Sequence, residues 1–232
     1  VLRPMMLFAI LYVVFAKILK MGSDIPHYPV YLLAGTVLWS FFSECTSQGI
    51  QAIVARGDLL RKISFPKWII VVSATTTALI NFLINLGVVI IFAIINGVTP
   101  SLSWLIVPFI VLELYLLSLG ISFFLGAINV KYRDISSIWE VFMQALFYAV
   151  PVIYPITMVA DASPLAAKIF LLNPIAQVIQ DVRYFLITNQ TITTWNYLPE
   201  QLLHFVPILI VIIIITLGGL YFRKRSKYFA EE

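Results

Sequence analysis

Charged side chains are scarce in this sequence, and so are the residue groups that build most catalytic and metal sites. Charged residues make up 11% of the 232 residues, against about 25% in an ordinary soluble domain. The two histidines, His27 and His204, each stand without a second ligand at metal-binding spacing. Neither a glycine-rich phosphate loop nor a catalytic triad is present in the sequence. We therefore expect no covalent chemistry, no bound cofactor and no ATP hydrolysis in this chain.

Cysteine is rarer still, and processing motifs are missing. Cys45 is the only cysteine, so the chain forms no intrachain disulfide and no thiolate metal site, and we expect a small buried apolar residue there. Residues 1–19 carry no basic leader and no small-residue cleavage site, so we expect no signal peptide. The first residue is Val1, and Pro4 already lies in an apolar run, which favours truncation at the N-terminus.

What the sequence has in abundance is long apolar runs. Hydrophobic residues are 61% of the chain. About 20 mainly apolar residues cross the hydrocarbon core as a helix, and helices keep every backbone group paired in lipid. We predict an all-α, polytopic membrane protein with a single domain, residues 1–232, and six transmembrane helices. The predicted spans lie at about 2–20, 30–53, 69–97, 105–128, 138–157 and 203–222.

Basic residues are distributed unevenly between these spans. With six spans and a cytoplasmic N-terminus, 11 of the 15 lysines and arginines fall on the inside, as the positive-inside rule requires. We predict a multi-pass protein with both termini cytoplasmic, and we attribute the net charge of +4 to anchoring at membrane lipids rather than to nucleic acid. The inside set is Arg3, Arg56, Arg61, Lys62, Lys67, Lys131, Arg133, Arg223, Lys224, Arg225 and Lys227.

Two connections between the spans are more than turns. The internal segment 54–68 has apolar residues among basic ones and ends near Pro66, which predicts a short amphipathic helix at the membrane surface. The external region 158–202 contains an apolar stretch, Leu171–Ile187, with Pro174 near its start. We interpret it as two short helices that dip back toward the membrane, because a seventh span would place the basic tail outside.

The predicted fifth span contains the string VPVIYP. Pro151 and Pro155 each remove a helical hydrogen bond and bend the helix axis. A simple kink would explain them. We favour a break from which the external short helices begin, forming a gate, because the irregular region follows directly.

Polar and aromatic residues inside the spans are candidates for a transport path. Charged groups there are costly, and Glu44, Glu113, Glu140, Asn81 and Asn85 are of interest for that reason. Either they line a polar path or they form hydrogen bonds between helices. A second set combines Glu44 with aromatic side chains that could stack on sugar rings in a pore. Its aromatic members are Phe41, Phe42, Phe142, Phe147 and Tyr148.

Four motifs, spread over about 130 residues, resemble the permease subunit of type-2 ABC transporters. Within that family they are most similar to the branch that exports bacterial cell-surface polysaccharides such as O-antigen, teichoic acid and capsular polymer. The motifs are GDLLRKISFP at Gly57–Pro66, NVKYRD at Asn129–Asp134, PVIYP at Pro151–Pro155, and LNP at Leu172–Pro174 followed by DVRY at Asp181–Tyr184.

The resemblance implies a homodimer of six-span subunits in the bacterial inner membrane, each docked on a cytoplasmic ATPase that carries ATP and Mg²⁺. The substrate would be a lipid-linked polysaccharide, exported through a pore between the copies. A coupling helix would contact the ATPase, Arg133 and Asp134 would fix the inner ends of two spans, and the external helices would gate the exit. The implied coupling residues are Asp58, Leu59, Leu60, Arg61, Lys62, Phe65 and Pro66, and the implied gate residues are Pro151, Tyr154, Pro155, Asn173, Pro174 and Arg183.

Three alternatives remain open at this point. A permease for a drug or a lipid would belong to the same superfamily, but we would expect fewer aromatic residues and no VPVIYP break in it. A secondary carrier would have to titrate Glu44 and Glu113, although no histidine or lysine lies at their depth. A membrane-embedded transferase would need a His, Asp or Glu cluster at one membrane face, which the sequence does not supply.

Overall fold

The structure is a computed structural model that describes residues 2–18, 25–57, 65–227 and 229. In these residues the chain is helical and contains no strand, as predicted. The α-helices are α1 (Leu2–Leu11), α2 (Tyr28–Ala55), α3 (Trp68–Ile95), α4 (Val107–Asn129), α5 (Ile135–Ala149), α6 (Ile156–Ala162), α7 (Pro164–Leu171), α8 (Pro174–Leu186), α9 (Thr194–Tyr197) and α10 (Val206–Arg225). A π-helical segment, Tyr12–Ile18, continues α1, and 3₁₀ turns at Leu102–Ile106 and Gln201–Phe205 lead into α4 and α10.

Several of these helices begin at or next to a proline. A proline stands in the first two positions of α2, α4, α7, α8 and α10, where its missing N–H costs nothing and its fixed φ suits the helix. Side chains cap two of them: the Ser163 hydroxyl accepts from the Ala166 N–H at 3.4 Å, and the Asn173 carbonyl oxygen accepts from the Ile175 N–H at 2.9 Å. The region that was predicted to be external, 158–202, is therefore divided into short helices by its own sequence.

Three helical segments in the described residues are long and apolar enough to cross a membrane. They are Trp68–Ile95, Leu102–Asn129 and Gln201–Arg225, and α7 with α8 would add a fourth if the pair, which bends by 93°, counted as one span. The structure thus confirms a multi-pass helical protein. The predicted number of six spans stays a prediction.

Helix α2 is as long as α3, at 28 residues, but it does not belong to that set. Helix α2 is less apolar than α3. Its position in the bundle explains why it can be, since 19 of its 28 residues are buried. A helix surrounded by other helices need not be apolar toward lipid, and α2 carries serine, threonine, glutamate and glutamine along its length. It forms the centre of the bundle and packs against α3, α4, α5 and α8.

Small residues allow the closest helix contacts. Gly120 of α4 and Gly218 of α10 lie so near each other that a Cβ on Gly120 would be 2.7 Å from the Ile215 Cα, and a Cβ on Gly218 would collide with the Gly120 carbonyl. Gly49 of α2 similarly faces Ser122 of α4. Van der Waals contact between backbones drives helix association in lipid, where hydrophobic burial contributes little.

The end of the bundle that carries the basic residues has a hydrophobic cluster of its own. Here α2, α4 and α10 end and α3 begins, and Phe65 packs against the cluster. Its buried members are Ala52, Ile53, Ile70, Val71, Ala127, Phe222 and Phe229. We call this the basic end. Its composition agrees with the predicted arrangement, in which all these helix ends lie on one side of the membrane.

The fifth predicted span, 138–157, differs from the structure. Helix α5 ends at Ala149 and has 15 residues, or about 22 Å at 1.5 Å per residue, which is shorter than the hydrocarbon core. Pro151 and Pro155 lie in the extended segment that follows, and α6 starts only at Ile156. The residues after Ala149 are still apolar, so hydropathy alone could not show where the helix ends. The break that the prolines predicted is therefore present.

The region 158–202, predicted to be external, holds more helices than the two that we predicted. Helices α6, α7, α8 and α9 all fall between Ile156 and Tyr197. The apolar stretch Leu171–Ile187 is divided, since Leu171 ends α7 and Pro174 begins α8. The Asn173–Pro174 pair ends one helix and starts the next, because Asn173 has an extended backbone and caps α8.

Candidate functional site

A crevice of about 720 Å³ opens between α1, α2 and α5. It is of mixed polarity, which is unusual between apolar helices. Four of its residues are polar side chains, three are aromatic, and the others are Leu7 and Met143. The polar and aromatic residues are Trp39, Ser43, Ser47, Glu140, Gln144, Phe147 and Tyr148.

The polar residues form two rows. Ser43 and Ser47 are four apart on α2, and Glu140 and Gln144 are four apart on α5, so each pair occupies one helix face. Glu140 and Gln144 are exposed in the subunit. An exposed carboxylate on an apolar membrane helix is costly in lipid but acceptable beside water or a polar partner. The crevice can therefore hold water or a hydroxyl-rich ligand.

Aromatic side chains form the other wall. The rings of Trp39 and Phe147 meet at 5.5 Å between centroids, and Phe147 meets Tyr148 edge to face at 5.4 Å. The indole N–H of Trp139 donates to the Thr46 hydroxyl at 3.0 Å, which ties α5 to α2 behind this wall. The crevice thus combines ring faces with hydroxyl, amide and carboxylate groups.

The structure separates the residues that the sequence grouped as a pore lining. Phe147 and Tyr148 line the crevice, whereas Phe41 and Phe42 are buried in the protein core at 2% and 0% exposure. Phe41 packs on Phe82 with ring centroids 4.5 Å apart. Phe142 lies on another side of α5, in an apolar groove shared with α4 and α10.

Glu44 forms a hydrogen-bonded link between helices. Its Oε1 accepts from the Gln48 amide at 2.9 Å and from the Asn81 amide at 3.0 Å, which joins α2 to α3. Asn85 donates to the Asn81 carbonyl at 2.8 Å. These contacts agree with the second of the two interpretations given for the intramembrane polar groups, namely hydrogen bonding that holds the helices together.

Arg183 organises the backbone at the proline break. Its side chain is fully buried, and its guanidinium lies over the Tyr31 ring at 3.6 Å. Nη1 donates to the Pro151 carbonyl at 2.7 Å, Nη2 donates to the Val152 carbonyl at 2.6 Å, and Nε donates to the Tyr31 carbonyl at 3.1 Å. We call these contacts the Arg183 cluster. The contacts to Pro151 and Val152 supply donors to carbonyls that lie outside any helix.

Two further residues complete the Arg183 cluster. The Tyr28 hydroxyl donates to the Ile153 carbonyl at 3.0 Å, so three successive carbonyls of the break, from Pro151 to Ile153, are satisfied by side chains. Gly35 makes room for the guanidinium, since a Cβ there would collide with Nη2 and lie 2.7 Å from the Val152 oxygen. The family resemblance pointed to Arg183 as a gate residue, through the DVRY motif at Asp181–Tyr184. The sequence did not identify Tyr28 or Gly35 as its partners.

The other predicted gate residues have local roles. Pro155 starts α6 from an extended conformation, and Asn173 with Pro174 starts α8. The Tyr154 hydroxyl donates to the Tyr148 carbonyl at 3.1 Å, which folds the break back onto the end of α5. The gate residues therefore lie at two helix junctions, with the Arg183 cluster at the first of them.

A second polar cluster joins α4 to α8. The Gln177 amide nitrogen donates to Asp181 at 2.5 Å and to Glu113 at 3.5 Å. Glu113 Oε1, Gln177 Oε1 and Asp181 Oδ1 are buried without a hydrogen-bond partner. Two carboxylates thus share one amide in the interior. In the described part of the chain, no three His, Cys, Asp or Glu residues are close enough to hold a metal ion.

The junction of α4 and α5 is made by Asn129 rather than by an ion pair. Arg133 and Asp134 are both exposed, and the part of the chain that the structure describes contains no ion pair between them. Asn129 is 3% exposed; its amide donates to the Ile50 carbonyl at 3.3 Å, and its Oδ1 accepts from the Ser136 N–H at 3.3 Å. Asn129 thus connects α2, α4 and α5. The only indication of this role in the sequence was that Asn129 is the first residue of the NVKYRD motif.

Most of the predicted coupling residues, namely Asp58, Leu59, Leu60, Arg61 and Lys62, lie outside the described residues. Phe65 and Pro66 are described. Phe65 packs against the hydrophobic cluster at the basic end, and Pro66 lies just before α3. The segment is thus attached to the basic end through Phe65.

Comparison with known sequences places this chain among transporters. Residues 1–187 match the family described as ABC-2 type transporter. The chain is similar to an O-antigen export system permease protein RfbA of Klebsiella pneumoniae, at 28% identity over 228 residues, which cover 97% of this chain and 83% of the relative. A protein of the same name from Myxococcus xanthus is 27% identical over 212 residues, covering 91% and 78% of the two chains.

Proposed function

The chain belongs to the ABC-2 type transporter family, and on that basis we propose that it is the permease subunit of an ATP-driven exporter of a cell-surface polysaccharide. The substrate is a lipid-linked polymer of the O-antigen class, which is the cargo named for its relatives in Klebsiella pneumoniae and Myxococcus xanthus. The chain itself catalyses no covalent step; the energy comes from a separate ATPase subunit that binds ATP and Mg²⁺.

The crevice between α1, α2 and α5 is the observation that carries this proposal. Its two polar rows offer hydroxyl, amide and carboxylate groups to sugar hydroxyls, while Trp39, Phe147 and Tyr148 offer ring faces. A drug or a lipid would have little use for the polar rows. A flexible polymer that slides needs many weak polar contacts rather than one deep pocket, and the rows along α2 and α5 fit that need.

The crevice is one half of a pore in this proposal. It is open on the side of α5, where Val141 and Tyr148 are exposed at 67% and 69%. A second copy of the chain closes it, and the two copies enclose the path. Six spans per subunit, a bacterial inner membrane location and cytoplasmic termini complete the arrangement, supported by the basic residues gathered at one end of the bundle.

Coupling to the ATPase belongs to the segment 57–66. Its apolar residues Leu59 and Leu60 form the packing face toward the ATPase, and Arg61 and Lys62 make polar contacts with it. Phe65 packs against the bundle instead. Motion of this segment reaches the bundle through Phe65 and the hydrophobic cluster at the basic end, to which α2, α3, α4 and α10 all contribute. At the opposite end, the Arg183 cluster holds the proline break and the external helices that gate the exit.

The test uses the full chain expressed with its ATPase in cells that depend on it for surface polymer. Ser43→Leu with Ser47→Leu removes one polar row from the crevice. Ser73→Leu with Thr77→Leu is the matched control, because this pair is also four apart but exposed on the outer face of α3. We expect surface polymer to fall at least tenfold in the crevice variant only, while the ATPase still co-purifies with both variants.

Two outcomes would overturn the proposal. A chain that purifies without an ATPase, and transports independently of ATP, is no ABC permease. If the ATPase co-purifies but both variants export normally, the polymer does not pass through this crevice.

A further inference from the structure

A second crevice, of about 490 Å³, lies at the basic end between the start of α3, the last third of α4 and the end of α10. It lies apart from the crevice between α1, α2 and α5 and shares no residue with it. The residues that matter for the argument are Lys67, Trp68, Phe123, Gly219, Phe222 and Arg223.

Two cations stand at the mouth of this crevice, and neither has an acidic partner among the described residues. Lys67 is half-buried; its ammonium donates to the Ser226 carbonyl at 2.5 Å and lies 5.6 Å from the Phe229 ring centre, which leaves other N–H donors free. Arg223 is exposed, and its guanidinium has no partner among the described residues. No aspartate or glutamate is among the lining residues. The mouth therefore attracts an anion.

Below the cations the crevice is apolar and unfilled. The rings of Phe123 and Phe222 meet at 5.0 Å between centroids and form its floor. At Gly219 a Cβ would meet no atom within 4 Å, so the slot beside α10 has room for a hydrocarbon chain. An ion alone would leave this apolar slot empty.

The depth of the crevice suits a phospholipid. Lys67 and Trp68 stand at the first turn of one membrane helix and Arg223 at the last turn of another, which is the level of the lipid head groups. Trp68 is 52% exposed at the rim, a position typical of tryptophan at the membrane interface. The phosphate level and the acyl level of a lipid thus correspond to the charged and apolar halves of the crevice.

We infer that this crevice is a binding site for an anionic phospholipid of the adjacent leaflet, with its phosphate at Lys67 and Arg223 and an acyl chain along Gly219. Basic pockets between membrane helices bind such head groups. Two cations that have no acidic partner in the described part of the chain favour a lipid with net negative charge over a zwitterionic one. Bound there, the lipid joins the start of α3 to the end of α10, directly beside Pro66. The inference does not depend on the identity of the exported substrate.

The test measures lipid binding to the purified full chain, with its ATPase if the two co-purify. Delipidated protein is titrated with phosphatidylglycerol or phosphatidylcholine, and bound lipid is counted by native mass spectrometry alongside the thermal midpoint. We expect phosphatidylglycerol to be retained and to raise the midpoint, and phosphatidylcholine to do neither. Inorganic phosphate alone is included as a third ligand and should have no effect, because it cannot use the apolar slot.

Two variants and two matched controls locate the site. Arg223→Ala removes the unpartnered cation, and we expect roughly fivefold weaker phosphatidylglycerol binding, given the known contribution of one basic residue near an anionic leaflet. Gly219→Leu fills the slot without changing charge and should weaken binding at least as much. Lys224→Ala, which removes the same charge one residue away, and Gly87→Leu, at another glycine with open surroundings, should bind normally.

Several results would overturn the inference. They are equal binding of the two phospholipids, phosphate protection equal to that of phosphatidylglycerol, and normal binding by both Arg223→Ala and Gly219→Leu. Lys67 is left unchanged in the test because its hydrogen bond to Ser226 also serves the fold.

Discussion

At the scale of single residues, the buried guanidinium of Arg183 has the clearest physical role. No carboxylate of the described residues binds it; it is satisfied by backbone carbonyls and by the face of Tyr31. Five N–H donors in a planar fork can serve several carbonyls at once, whereas a lysine ammonium cannot match that geometry. The proline break and the arginine therefore depend on each other, since the break frees the carbonyls that the arginine needs.

We predict that Arg183→Lys and Gly35→Ala both disable export. Leaving a buried hydrogen-bonding group unsatisfied typically costs about 1–3 kcal/mol, and a Cβ at Gly35 would push the guanidinium out of place. The assay is surface polymer together with the thermal midpoint of the purified protein. Gly87→Ala is the control, because a Cβ there meets nothing within 4 Å. Normal export and stability in Arg183→Lys would contradict the role assigned to the fork.

The sequence indicated some of these residues and not others. Pro151 and Pro155 could be selected because a proline in an apolar run is rare, and Arg183 because the DVRY motif resembles that of the family. Tyr28 and Gly35 could not, because a tyrosine at a span end and a glycine in a span are common in membrane proteins. Their importance comes from contact with residues more than a hundred positions away.

At the scale of the elements, close packing between glycines holds α4 against α10. Gly120 and Gly218 bring the two backbones together, and this pair of helices forms the most extensive contact in the described structure together with that of α2 and α3. In lipid, such contacts replace the hydrophobic effect as the cause of helix association. Helices α4 and α10 also form walls of the crevice that we propose as a phospholipid site, so the distance between them affects that site as well.

We predict that Gly218→Ala lowers the thermal midpoint of the purified protein and that Gly219→Ala leaves it unchanged. The first Cβ would collide with the Gly120 carbonyl, and the second would meet open space. Overpacking of this kind usually costs about 1–3 kcal/mol. Thermal unfolding in one detergent measures both variants, and equal midpoints would mean that α4 and α10 can separate freely.

At the scale of the whole molecule, one face of α5 is left uncovered in the single subunit. Helix α5 packs on few neighbours and leaves Ile138, Val141 and Tyr148 exposed beside the exposed carboxylate of Glu140. An apolar surface alone would suit lipid, but the carboxylate would not. This combination is what a surface covered by a second copy would have.

We predict that Val141→Cys forms an intermolecular disulfide in native membranes. The native chain should give no crosslinked band of its own, because Cys45 is its only cysteine and is fully buried. Mild oxidation followed by non-reducing electrophoresis should show a band at twice the subunit mass. Ile91→Cys is the control; it is similarly exposed, at 60%, but lies on α3. A dimer band from Ile91→Cys alone would place the interface on α3 instead.

We also predict that Leu59→Ala with Leu60→Ala separates ATP hydrolysis from export. The two leucines form the packing face of the proposed coupling segment, so their loss weakens its contact with the ATPase. ATPase activity of the purified complex should persist while surface polymer falls at least tenfold. Unchanged export in this double variant would count against a coupling role for residues 57–66.

The sequence by itself determined that the protein lies in a lipid bilayer, that it is helical, that the prolines interrupt a helix, and which family it resembles. All of these depend on local composition or on short motifs, which hydropathy and proline chemistry express directly. Only the tertiary structure decided that α2 is the buried centre, that Phe41 and Phe42 belong to the core, and that Glu44 joins two helices. It also brought Ser43 and Ser47 to one crevice with Glu140 and Gln144. In a membrane protein nearly every span is apolar on all sides, so periodicity does not reveal which face meets protein, lipid or water; only the contacts between helices do.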